Sequence, residues 1–271
     1  ELINADYLSD IKQITTDDDI KLLNEYNQTE YEFDYKDVLD AFNDNLLKYP
    51  ESKLVEYKDA SYTYAESAYI ADAIGKKLVD LGIAAQDRVS FLVPRSELYM
   101  FCVLGVVSIG GVYVPLDDAL PNERIEFMME DTESKVVIVS DDTYERAESL
   151  TKDATLLNIS DILKNGIGTL DKLPVVYGDL ACILYTSGTT GIPKGVKITR
   201  KAVLNTSTSY VNNYGMTNYD SYGLYASIGF DVGSLALWAT IYAGASLNII
   251  PSEIKLNMIK LNEYFTKYNV T

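Results

Sequence analysis

From Lys36 onward the apolar positions become periodic. Val38, Leu39, Phe42, Leu46 and Leu47 recur at spacings of three and four, which predicts an amphipathic helix ending before Pro50. Leu54-Val55-Glu56-Tyr57 and Ser61-Tyr62-Thr63-Tyr64 flank Lys58-Asp59-Ala60, the pattern of a hairpin. A helix over 65–81 carries Ala68, Ala71, Ile74 and Leu78 on one side and stops at Gly82. Residues 88–93 read as a short apolar strand bounded by Pro94. Helix and strand then alternate over 97–108, 111–115, 122–131 and 135–140. Such alternation implies βαβ units, and so an α/β fold of mostly parallel sheet covered by helices.

The run over 98–116 lacks charge and nearly reaches the length of a membrane span. Gly110-Gly111 interrupts it, and Val112-Tyr113-Val114-Pro115 then reads as a strand, so a buried helix-turn-strand is expected instead. Residues 141–173 are charged and weakly periodic, with a short strand expected at 155–159. A buried strand over 179–185 leads into a glycine-rich loop. A strand at 196–199, a helix over 200–213 and strands at 224–228 and 246–250 follow. Residues 1–35 are acidic and sparse in pattern and read as a linker. There Asp17-Asp18-Asp19 suits a solvated helix start, and Ile20, Leu22 and Leu23 could lay one short face on a neighbour.

Composition narrows the chemistry. The 271 residues carry 23 Lys+Arg against 40 Asp+Glu, a formal charge of −17, and 47% are hydrophobic. That is a globular composition whose surface repels phosphate backbones, so no nucleic-acid partner is expected. Histidine is absent, which removes Ser-His-Asp triads and histidine metal ligands. Cys102 and Cys182 sit far apart in apolar runs and are expected to be free thiols in a reducing, cytoplasmic setting. The N-terminus has neither a basic-apolar signal pattern nor a starting Met, so an excised or processed piece is expected, with no membrane partner.

The most informative stretch is Tyr185-Thr186-Ser187-Gly188-Thr189-Thr190-Gly191-Ile192-Pro193-Lys194-Gly195. Glycines let main-chain amides approach a ligand closely and form a concave anion site. Thr186, Ser187, Thr189 and Thr190 add hydroxyl donors, and Lys194 adds one positive charge. Hydrogen bonds to a charged group contribute about 1.5–3 kcal/mol each, so several together suffice for a polyphosphate. A Gly/Thr-rich surface turn is the alternative reading. Position after a buried strand favours the ligand site. The spacing is not that of a Walker A loop, since Ile192 stands four residues after Gly188 and Gly195 follows Lys194.

LYTSGTTGIPKGV resembles the phosphate-binding signature of adenylate-forming enzymes, the group of acyl-CoA synthetases, luciferases and the adenylation domains of non-ribosomal peptide synthetases. Gly110-Gly111-Val112-Tyr113-Val114-Pro115-Leu116-Asp117, followed by Pro121, Arg124-Ile125, Met128 and Glu130-Asp131, resembles a motif of the peptide-synthetase branch. Ser61–Glu66 resembles its early L-T-Y-x-E-L motif less closely, and 24–29 resembles the linker that follows an upstream condensation domain. By the residues alone, Arg124 could pair with Asp117 or Asp118 across a helical turn, a scaffold role.

The resemblance implies the N-terminal part of an adenylation domain over 36–271, preceded by a linker over 1–35. It implies that an amino acid's carboxylate attacks the α-phosphate of ATP, that pyrophosphate leaves, and that a carrier-domain phosphopantetheine thiol takes the acyl group. Thr186, Ser187, Gly188, Thr189, Thr190, Gly191 and Lys194 would hold the phosphates, with Mg²⁺. Phe230-Asp231 matches the branch's F-D-x-S. Taken alone, Asp231 after a strand and before an apolar helix reads as a helix cap. The resemblance instead gives it the substrate's α-ammonium, with Phe230, Val232 and Leu235 along the substrate pocket. The branch's Ser falls at Gly233, and its usual His falls at Arg200, where the imidazole is lost or replaced by a permanent charge. No catalytic or metal-ligating residue is assigned within the chain. The adenine-binding, ribose-binding and catalytic-lysine segments would lie beyond Thr271, so this stretch alone is expected not to complete adenylation and to leave a sheet edge exposed. A carboxylate ligase of the same superfamily, a non-catalytic assembly module and an unrelated NTPase are the competing readings.

Overall fold

The computed structural model describes residues 16–30, 32–168, 175–187 and 192–271. The chain divides into two compact units, Glu1–Asp34 and Tyr35–Thr271. In the first, α1 (Asp17–Tyr26) starts on a capping box in which Thr16 and Asp19 satisfy each other's free donors, and none of its residues is buried. The aspartate run is therefore the first turn of a solvated helix.

The second unit holds two sheets. Helix α2 (Val38–Lys48) begins at Asp37 and buries Val38, Leu39, Ala41, Phe42 and Asn45. Strands β1 (Lys53–Tyr57) and β2 (Ala60–Thr63) form the expected antiparallel hairpin. Helix α3 (Tyr64–Asp80) starts on a second capping box, Thr63 with Glu66. Strand β3 (Arg88–Leu92), helix α4 (Leu98–Ser108), strand β4 (Val112–Pro115), helix α5 (Asn122–Asp131) and strand β5 (Val136–Val139) follow in the alternation the sequence predicts.

Residues 141–168 contain more order than their weak periodicity suggests, and 169–173 lie outside the described residues. Helix α6 (Tyr144–Leu150), strand β6 (Thr155–Asn158) and helix α7 (Ile159–Lys164) lie there. With 7 and 6 residues, the two helices are too short to display a repeat. Then come β7 (Leu180–Thr186), β8 (Lys194–Thr199), α8 (Arg200–Tyr214), β9 (Ser221–Leu224), α9 (Asp231–Ala243), β10 (Ser246–Ile249) and α10 (Met258–Tyr268).

One strand lies earlier than the sequence places it: β9 ends at Leu224, where the strand at 224–228 was expected to begin. β9 pairs in parallel with β10 from Ser221–Ser246 to Leu224–Ile249. The Leu224 carbonyl still accepts the Ile250 amide at 3.2 Å, and beyond it the carbonyls of Tyr225 and Ala226 accept hydrogen bonds from Arg95 instead of a neighbouring strand. Apolarity marked the segment, but a guanidinium took its ladder partners.

The four-stranded sheet runs β2-β1-β10-β9 and the six-stranded sheet β6-β5-β3-β4-β7-β8. In the larger sheet only β8 is antiparallel, pairing with β7. Its inner strands β3, β4, β5 and β7 are covered on both faces, which explains their near-continuous apolar sequences. Along β4, Tyr113 faces the larger core while Val112 and Val114 face a second core with Ile125 and Met128 of α5. β5 alternates likewise, Val136 and Ile138 one way and Val137 and Val139 the other.

Helix α4 is buried on every side from Leu98 to Val107. It spans 11 residues, and no helix among the described residues is long and apolar enough to cross a membrane. It packs closely on α3 because a Cβ at Gly105 would lie 2.7 Å from Ile74 Cγ2 and 3.1 Å from the Ala71 carbonyl.

Cys102 and Cys182 are free and buried. Burial pushes the Cys182 thiol up to about 12 and raises that of Cys102 further. Because the thiolate is the reactive form, a thiol reagent at about pH 8 is expected to label neither cysteine in the folded protein and both after denaturation. Stoichiometric labelling of the native chain within minutes would contradict this burial.

Candidate functional site

The glycine-rich loop joins two antiparallel strands. β7 brings Ala181–Tyr185 through the core and emerges at Thr186, which pairs with Lys194 at the start of β8. Lys194 is thus the first residue of a strand, held directly across from Thr186. Thr186, Ser187 and Lys194 are exposed. Gly188, Thr189, Thr190 and Gly191 lie outside the described residues. Among the described residues Lys194 has no carboxylate partner, so its charge stays available to an anion. The structure therefore sets two hydroxyls and one ammonium at the end of a central strand, the place where open α/β sheets bind ligands.

The base of this hairpin is anchored by side chains the sequence reading did not assign. Tyr185 donates to Asp131 Oδ2 of α5 at 2.5 Å and meets Phe127 edge-on at 6.4 Å. Burial, then the adjacent Asp131 carboxylate, raises the Tyr185 hydroxyl's pKa, so it stays a donor. Asp131 belongs to the recognised Glu130-Asp131 motif, but nothing in the sequence points to its partner.

Asp231 is the first residue of α9, one place past the cap, which is Phe230 and makes no side-chain cap bond. Its Oδ1 accepts the Val232 amide at 2.8 Å. Together with Leu235, Ser234 and Trp238 of α9 it lines a cavity of about 100 Å³, walled on other sides by Leu184 of β7, Ile198 of β8, and Val203, Thr206 and Ser207 of α8. Two of the substrate-side residues thus meet in one cavity, which shares its walls with both strands of the hairpin. Phe230 and Val232 are 62% and 55% exposed and lie outside that lining. The helix itself is held by Tyr113 of β4, whose hydroxyl meets Ser234 Oγ at 2.9 Å and accepts from Trp238 Nε1 at 3.0 Å. A larger cleft of about 430 Å³ beside β9 has Asp220 and neither lysine nor arginine among its described lining residues, the wrong charge for a polyphosphate.

One expectation is corrected, and the structure places Arg200. Arg124 makes no ion pair with Asp117 or Asp118, and its Nε is buried without a hydrogen-bond partner. Arg146 holds that turn instead, donating to the carbonyls of Asp118 and Leu120 at 2.6 and 2.7 Å, while Asp117 accepts the Ser227 hydroxyl. Arg200 brings no free charge to the site. It is 3% exposed and grips Asp37 with two bonds, 2.6 Å to Oδ2 and 2.7 Å to Oδ1, while Nη1 donates to the Val107 carbonyl at 2.9 Å.

A family model described as "AMP-binding enzyme" matches residues 42–271. Surfactin synthase subunit 2 of Bacillus subtilis (strain 168) is 33% identical over 241 residues, spanning 87% of this chain and 7% of that protein. Bacitracin synthase 1 of Bacillus licheniformis is 32% identical over 267 residues, 97% of this chain and 5% of that protein. The chain thus spans only a small fraction of these curated relatives. Among solved structures, the nonribosomal peptide synthetase FmoA3 in its AMPPNP-bound form matches with a TM-score of 0.78 at 24% identity, covering 87% of this chain and 25% of that one. The Klebsiella oxytoca NpsA N-terminal subdomain in complex with 3-hydroxyanthranilyl-AMSN matches with a TM-score of 0.72 at 26% identity, covering 88% of this chain and 59% of that one. These likenesses agree with mostly parallel, helix-covered sheets.

Proposed function

The chain belongs to the AMP-binding enzyme family, and from that premise we propose that it forms the nucleotide- and substrate-gripping part of an amino-acid adenylation domain in a cytoplasmic peptide synthetase. One observation carries the reading: Asp231 and Leu235 line a cavity whose walls include Leu184 and Ile198, from the two strands that hold the phosphate-type loop. In this reading the anion-binding end and the Asp231 carboxylate end share one wall.

In this reading Mg²⁺ would accompany ATP and offset its phosphate charge; among the described residues no group of three or more carboxylates or thiols is placed to hold the ion by itself. Thr186 and Ser187 donate to phosphate oxygens with the loop amides, and Lys194 offsets their charge. Asp231 takes the α-ammonium and so presents the carboxylate toward the α-phosphate. The carboxylate oxygen forms the new P–O bond as pyrophosphate departs, leaving an aminoacyl-AMP. This chemistry needs positioning and charge stabilisation and no protein nucleophile. The phosphopantetheine thiol of a carrier domain then takes the acyl group as a thioester, releasing AMP and a proton, with a condensation domain as the further partner. Surfactin and bacitracin synthases, similar to this chain by sequence, support that setting.

The test is ATP–pyrophosphate exchange by the full-length protein across a panel of amino acids, with Lys194→Ala beside the wild type. At least one amino acid is expected to drive exchange. Loss of one charge-assisted contact is expected to raise KM for ATP about tenfold or more. Exchange driven by fatty or aryl acids but by no amino acid would select a carboxylate ligase instead. Release of orthophosphate without exchange would end the adenylation reading.

A further inference from the structure

The segment that delivers Asp231 is held from three sides. Arg95, half-buried in the loop after β3, donates from Nε to the Ile250 carbonyl at 2.8 Å and from Nη1 to that of Ala226 at 2.7 Å. Its Nη2 donates to the carbonyls of Leu224 and, at 3.1 Å, Tyr225. These acceptors lie where β9 and β10 run out, and of them the Leu224 carbonyl also accepts the Ile250 amide at 3.2 Å. One planar fork with several fixed donors can meet acceptors from both strand ends at once, whereas a lysine offers a single point of charge.

On the second side, the Ser227 hydroxyl donates to Asp117 Oδ2, its oxygen accepts the Gly229 amide at 3.2 Å, and its carbonyl accepts the Phe230 amide at 3.1 Å. On the third, the segment sits against the first turn of α9 with no room to spare. A Cβ at Gly233 would lie 2.0 Å from the Ser227 carbonyl oxygen and 2.7 Å from its carbon. Serine, which peptide-synthetase adenylation domains carry at this place, does not fit the path the chain takes here. The departure at Gly233 and the grip of Arg95 thus describe one local arrangement, and Asp231 begins directly where the segment ends.

We propose that Arg95 is a positioning residue for amino-acid recognition: its hold on the carbonyls of 224–226 and Ile250 seats residues 225–230 over Gly233 and so places the Asp231 carboxylate at the cavity. The proposal rests on the reading of Asp231 as the ammonium partner. Nothing in it requires Arg95 to touch the substrate.

The experiment compares full-length wild type, Arg95→Ala, Arg95→Lys, Gly233→Ala and Asp231→Asn. Amide hydrogen exchange is read over 225–231, and ATP–pyrophosphate exchange is run with the amino acid that best drives the wild type. In both Arg95 variants, exchange over 225–231 is expected to quicken about tenfold or more as the segment opens locally. KM for the amino acid is expected to rise about 10²-fold in Arg95→Ala, in keeping with the penalty for slight misplacement, with KM for ATP within about twofold of wild type. Arg95→Lys should recover only part of the loss, and Gly233→Ala should move the same two readouts from the opposite side. Unchanged amide exchange in Arg95→Lys, or equal rises in both KM values, would overturn the proposal. If Asp231→Asn leaves the amino-acid KM unchanged, the ammonium reading fails, and amide exchange alone decides whether Arg95 seats the segment.

Discussion

Replacing Arg200 by alanine is expected to destabilise the 35–271 unit by about 3–5 kcal/mol, the usual penalty for stripping one partner from a buried ion pair. The pair is deeply enclosed, with side-chain exposures of 4% for Arg200 and 7% for Asp37. Asp37 cannot be released, because it also caps α2 by accepting the Leu39 amide at 2.9 Å. The Val107 carbonyl would lose one donor as well, keeping the Gly110 amide at 3.0 Å. Native domains are stable by only about 5–15 kcal/mol, so the loss is a large share of the whole. In a thermal melt the midpoint is expected to fall on the order of 10 °C. Removing both charges together, as Asp37→Asn with Arg200→Met, should return much of that, since a neutral interior has no charge left unpaired. A drop below about 2 °C for Arg200→Ala would mean that the pair is not buried as described.

The second large effect concerns Asp231. Asp231→Ala is expected to lower amino-acid kcat/KM in pyrophosphate exchange by about 10²–10³-fold, while ATP binding, followed by nucleotide protection of the thermal midpoint, stays within about twofold. The carboxylate is exposed in this structure, and an exposed ion pair contributes little, about 0–1 kcal/mol. The effect reaches the larger figure only when the substrate itself excludes water from the pair. A loss of less than about fivefold would show that Asp231 serves as a first-turn helix residue and no more. The existing bond to the Val232 amide supplies that role.

What was legible in the chain follows from physics of short range. Amphipathic spacing identified α2 and α3, and uninterrupted apolarity identified β3, β4, β5 and β7, because burial on both sheet faces demands it. The glycine-rich stretch was expected directly after a buried strand, and β7 does end at Thr186 beside it. What was not legible depends on partners far away in sequence. Arg200 meets Asp37 across 163 positions, and Arg95 meets the carbonyls beyond β9 across some 130. Neither arginine carries a local sign of its acceptor. The true end of β9 was hidden for the same reason. The Arg124 pairing was inferred from proximity along the chain, where Arg146, from a neighbouring helix, proved the better-placed donor. Tyr113 and Trp238 read simply as core, and only their shared hydrogen bond shows that they steady the helix bearing Asp231.

Strand β8 closes one side of the six-stranded sheet and is exposed along nearly its whole length. Its outer backbone groups would be a ready template for another copy of the chain. Lys194 and Lys197 stand on that strand, and charged side chains at an open border discourage intermolecular pairing. Lys194 thus stands both beside the glycine-rich loop and on the edge strand of the sheet as formed by the described residues. Neutralising both lysines would be felt first as turbidity in concentrated solution, before any assay of chemistry.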